Sequence, residues 1–310
     1  MDVVPAQLRT LQAVVRYGSF SRAAEAMHLS QPAVSTQVRR LEAGLGARLI
    51  ERVGKRAFPT PAGELVLEYG RDAVARFEAG LEALRRLDGT VAGRIRLGAG
   101  ATVSIHLLPG LLRRMRDRYP AVEFSVVTGN TAEIAAAVVR YELDAALVTL
   151  PVSGRELLVS PFFRDELVAV APPGTRWPRG RPISSRRLAE HPLILYERGG
   201  RVRDVMDRWF QRSGSPARVA MELGNAEAIK ELVAAGLGVS LISAVAVRRE
   251  VQAGKMIARR VAPPLHREIG LIRRRDKPRA PAFGAFLDVL EDYRKTTRGV
   301  ERRSFGAAPR

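Results

Sequence analysis

The chain has 310 residues, 46% of them hydrophobic, which suits two or three globular domains and is too apolar for a disordered tail. It has no cysteine, so disulfides, thiolate catalysis and sulfur-ligated zinc are excluded, and His28, His106, His191 and His266 stand too far apart for a helical His-pair metal site. A formal net charge of +19 favours a polyanionic partner through counterion release and steering.

The first sixty residues read as short helices joined by tight turns. Leu8, Leu11, Val14 and Val15 recur at helical spacing until Gly18, Ser19 or Ser21 can cap a second helix over Arg22–Met27, and His28-Leu29-Ser30 makes the next turn. Ser30 can cap a third helix, with Gln31 and Pro32 in its first turn, where a missing N–H costs nothing. Ala33, Val34, Val38 and Leu41 give that helix an apolar stripe, leaving Gln31, Ser35, Thr36, Arg39 and Arg40 on its outer surface. Helix, tight turn and helix with a polar outer face is the form of a DNA reader. Leu49 to Thr60 then reads as two short strands around a Gly-Lys turn, a basic wing whose Arg52, Lys55 and Arg56 suit a phosphate backbone.

A long helix is expected from Thr60-Pro61-Ala62-Gly63 to about Leu87. Its stripe of Leu65, Tyr69, Ala73, Phe77, Leu84 and Leu87 is too long for a connector between touching domains, and dimerisation is the sharper reading against packing on its own domain. Asp88-Gly89-Thr90 reads as a hinge.

From residue 91 to 295 strands and helices alternate. Strands are predicted at Arg94–Gly98, Val122–Val127, Leu143–Thr149, Glu166–Ala171, Leu193–Leu195, Val219–Glu222, Gly238–Ile242 and Glu268–Ile272. Helices are predicted at Ser104–Arg118, Thr131–Val139, Arg201–Arg212, Ala226–Ala235, Ala244–Ala253 and Pro281–Tyr293. This makes an open α/β sheet, and breaks at Pro161 and Pro263-Pro264 suggest that the chain crosses twice between two lobes with a cleft between them. Residues 91–310 carry 38 basic and 22 acidic side chains, against 9 and 4 in residues 1–60 and 4 and 6 in residues 61–90. The runs Arg273–Arg279 and Arg294–Arg310 supply much of that excess, as a solvated face and frayed terminus or as an auxiliary DNA contact. The longest uncharged stretch, Leu232–Val247, falls short of the ~20 residues of a membrane span. No signal-peptide pattern opens the chain, so a cytoplasmic, nucleoid-associated protein is expected.

Several of these blocks closely resemble the signature of LysR-type transcriptional regulators. They are Gly18–Ala24, Leu29–Ser35, Gln37–Glu42, Leu45-Gly46, Leu49–Arg52 and Thr60–Gly63, with the spacing kept throughout. Leu107–Pro109, Tyr119-Pro120, Glu142–Leu147, Asp165–Val168, Glu227–Ile229 and Gly236–Val239 look like that family's effector-binding domain. The resemblance covers about residues 3–295 and implies an α+β multidomain chain. A winged helix-turn-helix over 1–60 would be followed by a dimerising linker helix with hinge over 61–90 and a two-lobed α/β domain similar to periplasmic solute-binding proteins over 91–295. Lobe I would take about 91–162 and 267–295, lobe II about 163–266, and 296–310 would be a flexible basic tail. The family pattern sets Ser30, Gln31, Pro32, Ser35, Thr36 and Arg39 against DNA and Arg52, Lys55 and Arg56 on its backbone. Many relatives carry arginine where this chain has Thr36; a threonine offers one hydroxyl and a methyl suited to thymine rather than a bidentate guanine contact.

In open α/β folds ligands settle at the carboxyl ends of strands, where helix N-termini favour anions. Thr102, Ser104, Thr128, Thr149, Arg201 and Asn225 lie at such junctions and are the candidates to grip a small effector, expected to be an anionic metabolite; each singly could equally be a cap or turn residue. No cofactor is expected. The partners expected are promoter duplex DNA, the effector and the chain itself as dimer or tetramer, with RNA polymerase a further candidate and no membrane. An enzyme is disfavoured: Gly98-Ala99-Gly100 resembles part of a dinucleotide loop, but Val103 stands where the third glycine belongs, and there is no GxSxG nucleophile elbow. The competing readings are a solute-binding or enzymatic α/β protein with an N-terminal assembly domain, and a non-specific architectural DNA binder.

Overall fold

The computed structural model describes residues 5–54, 56–86, 90–178, 180–214 and 217–301. One compact unit comprises Met1–Val91 with Asp276–Pro281, the other Ala92–Arg275 with Ala282–Arg310. Among the described residues no helix is long and apolar enough to cross a membrane.

The first unit runs α1 (Pro5–Tyr17), α2 (Phe20–Met27), α3 (Gln31–Leu45), β1 (Ile50–Val53), β2 (Arg56–Pro59) and α4 (Pro61–Arg86). Ser19 and Ser30 cap α2 and α3 by accepting from the backbone N–H of Arg22 and Ala33. The turn between them closes on His28, whose left-handed φ of 54° is uncommon for a residue with a Cβ. Leu11, Val14, Ala23, Val34, Leu41 and Leu49 form one buried cluster, in which Ala23 supplies the close approach that crossing helices need. β1 and β2 pair antiparallel as a hairpin, from Ile50 opposite Pro59 to Val53 opposite Arg56.

The second unit opens with β3 (Gly93–Ala99), α5 (Ala101–His106), α6 (Leu108–Arg118), β4 (Val122–Thr128), α7 (Thr131–Val139), β5 (Ala145–Thr149) and β6 (Leu157–Ala171). It continues through β7 (Ile183–Ser184), α8 (Ser185–Ala189), β8 (Leu193–Tyr196), α9 (Arg201–Arg212), β9 (Val219–Leu223), α10 (Ala226–Ala234), β10 (Ser240–Ser243) and α11 (Arg248–Gln252). It closes with β11 (Ile257–Arg259), β12 (Val261–Ala262), β13 (Leu265–Arg274) and α12 (Pro281–Glu301). One sheet has the order β10-β6-β13-β5-β3-β4, with β11 also on β6, while β8 and β9 pair in parallel beside it. One buried cluster lies around Ile134, Val138, Leu143 and Ile272, another around Leu167, Leu193, Phe210, Ile229 and Leu241.

The crossing between these cores is not a break at Pro161. β6 runs unbroken through it, paired with β13 from Leu265 opposite Leu167 to Arg274 opposite Leu157. The register shifts between Ile269 and Gly270, so the proline, which has no N–H to give, sits opposite Gly270 at an irregularity. Three other expectations also need correction. The predicted helix Ser104–Arg118 is two helices meeting at Leu107, with a proline in the first turn of α6. The predicted helix Ala244–Ala253 is only Arg248–Gln252, because Ala244 N–H is taken by Glu166 C=O. The last helix runs past Tyr293 to Glu301, so the helix takes in 296–301; Arg294 and Lys295 pair with Glu291 and Asp292 one turn back. Residues 302–310 lie outside the described residues, as do 87–89 of the expected hinge.

Candidate DNA-reading face and effector cleft

In the first unit α3 is fixed from below and open above. Val34, Val38 and Leu41 are buried, Gln31, Pro32, Arg39 and Arg40 are exposed, and Ser35 and Thr36 are half-buried. Ser30 spends its hydroxyl on the cap. Thr10 of α1 donates to Gln37 Oε1, which sets the rotation of α3 about its axis. The wing is tied to this helix by Glu42, whose Oε1 accepts from the N–H of Leu49 (2.8 Å) and Ile50 (3.2 Å). Ala57 N–H donates to Gly18 C=O at 2.9 Å, which holds the other strand against the α1–α2 turn. Arg52 lies over the Phe20 ring, 4.6 Å from its centroid, and Arg56 over Phe58 at 5.7 Å, so both cations are exposed yet steered. Lys55 lies outside the described residues. Glu42 was legible in sequence as part of a motif, but its role as the strut between helix and wing was not.

α4 has two faces. Leu67, Gly70, Val74 and Ala75 are buried, Leu67 in the core of its own unit and Gly70 against Leu8. Leu65, Tyr69, Phe77 and Leu84 are 57%, 70%, 50% and 61% exposed, and Ala73 is exposed with them. Leu87 lies outside the described residues. At its start Thr60 N–H donates to Leu49 C=O, and Thr60 Oγ1 accepts from Gly63 N–H (3.0 Å) while donating to Arg48 C=O (2.6 Å). Gly63 passes so close to the wing that a Cβ there would lie 2.0 Å from the Leu49 carbonyl oxygen.

In the second unit a cleft of about 630 Å³ opens where strand ends meet helix starts. Thr102, Thr128, Thr149, Arg201 and Asn225 all line it. Ser104 does not; it is hydrogen-bonded to the Thr128 hydroxyl at 3.0 Å and holds it. Several of these groups are already engaged. Asn225 caps α10 by accepting from Ala228 N–H, Arg201 pairs with Asp204 at 3.4 Å, and the Thr149 carbonyl accepts from the Thr131 hydroxyl.

The cleft also takes Tyr196, Glu227 and Arg267, which the sequence reading missed. Arg267 is 5% exposed; its Nε donates to Asp165 Oδ2 at 2.7 Å, and Asp165 Oδ1 accepts from Ser243 (2.7 Å). Glu227 shares the buried Lys230 ammonium with Glu250 (2.7 and 2.5 Å). Burial by itself would lower the Lys230 pKa, but the two carboxylates outweigh it and the net direction is up. His106, ending α5, approaches Glu227, its Nε2 3.6 Å from Oε1. Burial holds the His106 pKa below the usual imidazole value, with Glu227 opposing in part; burial and then the charge of Arg164 do the same to His266.

These two histidines give a pH prediction. Their folded pKa values lie below the unfolded value of 6.5, so the stabilisation is complete above about 6.5 and is lost as pH falls from there toward the folded values. Urea midpoints measured from pH 7.5 to 5.5 are expected to fall, and His106→Asn with His266→Asn to flatten the slope. A midpoint that rises on acidification would refute this.

Comparisons with known proteins bear on both faces. Residues 5–64 match the model of the bacterial regulatory helix-turn-helix protein, lysR family, and residues 88–295 match that of the LysR substrate binding domain. The chain is 34% identical over 291 residues to the RuBisCO operon transcriptional regulator of Allochromatium vinosum, covering 94% of this chain and 96% of that one. It is 35% identical over 292 residues to the HTH-type transcriptional regulator YeiE of Escherichia coli K12, covering 94% and 98%. Its fold is similar to that of full-length OxyR from Pseudomonas aeruginosa, with a TM-score of 0.74 and 25% identity over 94% of this chain and 95% of that one.

Proposed function

Because the chain belongs to the LysR family of transcriptional regulators, DNA-binding proteins with an effector-binding domain rather than enzymes, we propose a specific division of labour among its residues. α3 enters the major groove with Ser35 and Thr36 facing base edges, Ser30, Gln31, Pro32 and Arg39 beside them, and Arg52, Lys55 and Arg56 on the phosphates. The observation that carries this reading is the outer face of α3, polar and open, held in fixed rotation and tied through Glu42 to a wing whose cations are steered by rings.

The exposed stripe of α4 is the self-association surface, Leu65, Tyr69, Ala73, Phe77, Leu84 and Leu87 packing on a second copy, and two such dimers form the tetramer. A two-fold pair of heads matches an interrupted inverted repeat. A small anionic effector enters the cleft at Thr102, Thr128, Thr149, Arg201 and Asn225, with Ser104 supporting Thr128, and no other cofactor is needed. Its binding draws the two sides together and changes head spacing and DNA bend, which requires unequal affinity for the two arrangements. RNA polymerase is the partner through which bound promoter is read, and the protein works in the cytoplasm on the nucleoid.

The test is a mobility-shift titration of the full chain on its own promoter and on scrambled duplex, at two salt concentrations. Ser35→Ala is expected to weaken promoter binding by about tenfold or more, the cost of a lost base contact of about 1–3 kcal/mol, and to leave scrambled duplex unaffected. Arg52→Ala is expected to weaken both and to shallow the salt dependence. Equal loss on both duplexes from Ser35→Ala would exclude direct readout, and no preference for promoter in the wild-type chain would exclude the reading altogether.

A further inference from the structure

The cleft holds one buried cation whose hydrogen-bonding capacity is not spent. Arg267 gives Nε to Asp165, but its Nη2 is buried without an acceptor among the described residues. Tyr196, ending β8, is 9% exposed, and its hydroxyl is also buried and unpartnered. The Thr102 hydroxyl is near enough to act on the phenol without the geometry of a formed hydrogen bond, and the Arg267 charge is near enough to act on it too. Folded proteins rarely leave a buried donor without an acceptor.

These two orphans are donors; a third buried atom of the lining without a hydrogen bond among the described residues, Glu227 Oε1, is an acceptor and lies 3.6 Å from His106 Nε2. Burial pushes the Tyr196 phenol up to about 12, so it keeps its proton at any physiological pH. Asp165 does not supply the missing acceptor: its Oδ2 takes Arg267 Nε and its Oδ1 takes Ser243, and Nη2 meets neither oxygen in hydrogen-bond geometry. A cationic N–H and a neutral O–H from two different strands match two oxygens of one compact anionic group, where charge-assisted bonds are roughly twice as strong as neutral ones. The N-terminus of α9 opens on the same cleft, and its first residue outside the helix, Gly200, gives no side-chain cap. The carboxylates of Glu133, Glu197 and Glu227 in the lining, the last of them paired with Lys230, favour charge concentrated at one end of the ligand over charge spread along it.

We propose that Arg267 Nη2 and the Tyr196 hydroxyl form the specificity-determining oxyanion seat of the cleft, receiving a carboxylate, phosphate or sulfur oxyanion of the effector. This deepens the cleft reading given above and rests on it.

The test uses the full chain without DNA and, as probes, acetate, inorganic phosphate and sulfate, each against potassium chloride of equal ionic strength. At least one probe is expected to raise the melting temperature of the wild-type chain above the chloride control, with saturable binding by calorimetry. Tyr196→Phe removes a hydroxyl that makes no hydrogen bond among the described residues, and Arg267→Lys keeps a charge for Asp165, so both are expected to fold. Each is expected to weaken the binding by about tenfold or more, the loss of one charge-assisted hydrogen bond. If all three probes fail against chloride, or if they act equally on the wild type and both variants as surface binding to a chain of net charge +19 would, the seat is overturned. Promoter binding by the wild-type chain, measured in parallel, separates the two readings: anion failure with promoter binding intact overturns the seat alone.

Discussion

Gly63→Ala is expected to destabilise the DNA-binding unit by about 3 kcal/mol, at the upper end of overpacking costs. A Cβ at this position would sit 2.0 Å from the Leu49 carbonyl oxygen and 3.0 Å from its carbon, both backbone atoms with no rotamer to relieve the clash. That same carbonyl accepts from Thr60 N–H, and Leu49 is fully buried with its N–H on Glu42. Relief therefore means moving the first turn of α4 away from the wing and breaking the Thr60 cap. Thermal melts of the isolated unit and the full chain would show a lowered transition. Promoter and scrambled duplex should be lost together, because the whole reading head, not one contact, is displaced. Wild-type melting would mean that the helix start has room this geometry denies it.

Asp165→Ala is expected to be the most damaging change in the effector unit. Arg267 would remain buried with no counter-charge, and breaking such a pair from one side costs about 3–5 kcal/mol. The companion change is informative: Asp165→Leu with Arg267→Met removes both charges and is expected to recover most of the stability, since an apolar pair of similar volume often does as well. Denaturant midpoints of the two variants distinguish a structural ion pair from one maintained for binding. A double variant that is stable yet indifferent to every probe anion fits the second. A single variant as stable as the wild type would contradict the burial of this pair.

The parts legible in sequence are those whose cues are local. Ser30 and the Gly54 turn announce the third helix and the hairpin within a few residues, and of the two serines that could cap the second helix Ser19 does so, starting it at Phe20. Thr131–Val139 and Arg201–Arg212 were legible from their stripes alone. Thr102 and Thr128 were legible because glycine and asparagine mark those strand ends, and Thr149 because Leu150-Pro151 ends its strand.

Arg267 and Tyr196 were not, and the reason is physical. Each sits in or at the end of a strand whose pattern reads as core, and what makes it a cleft group is a pairing across the chain. Arg267 meets Asp165 across 102 residues, a separation no local periodicity encodes. Pro161 misled for a related reason: in isolation it reads as a stop, while its tolerance depends on the irregularity opposite Gly270.

The unbroken β6–β13 pair has a consequence for biosynthesis. The core that holds Ile134, Val138 and Leu143 also needs Ile272, and Phe124 packs against Phe286. As the chain leaves the ribosome, the half that begins first must wait for α12, the last helix of the described residues, while the half between the two crossings is complete earlier. A stalled or prematurely terminated product would thus present a finished second half beside an open first one, and cellular proteolysis should trim such products back toward the inserted half.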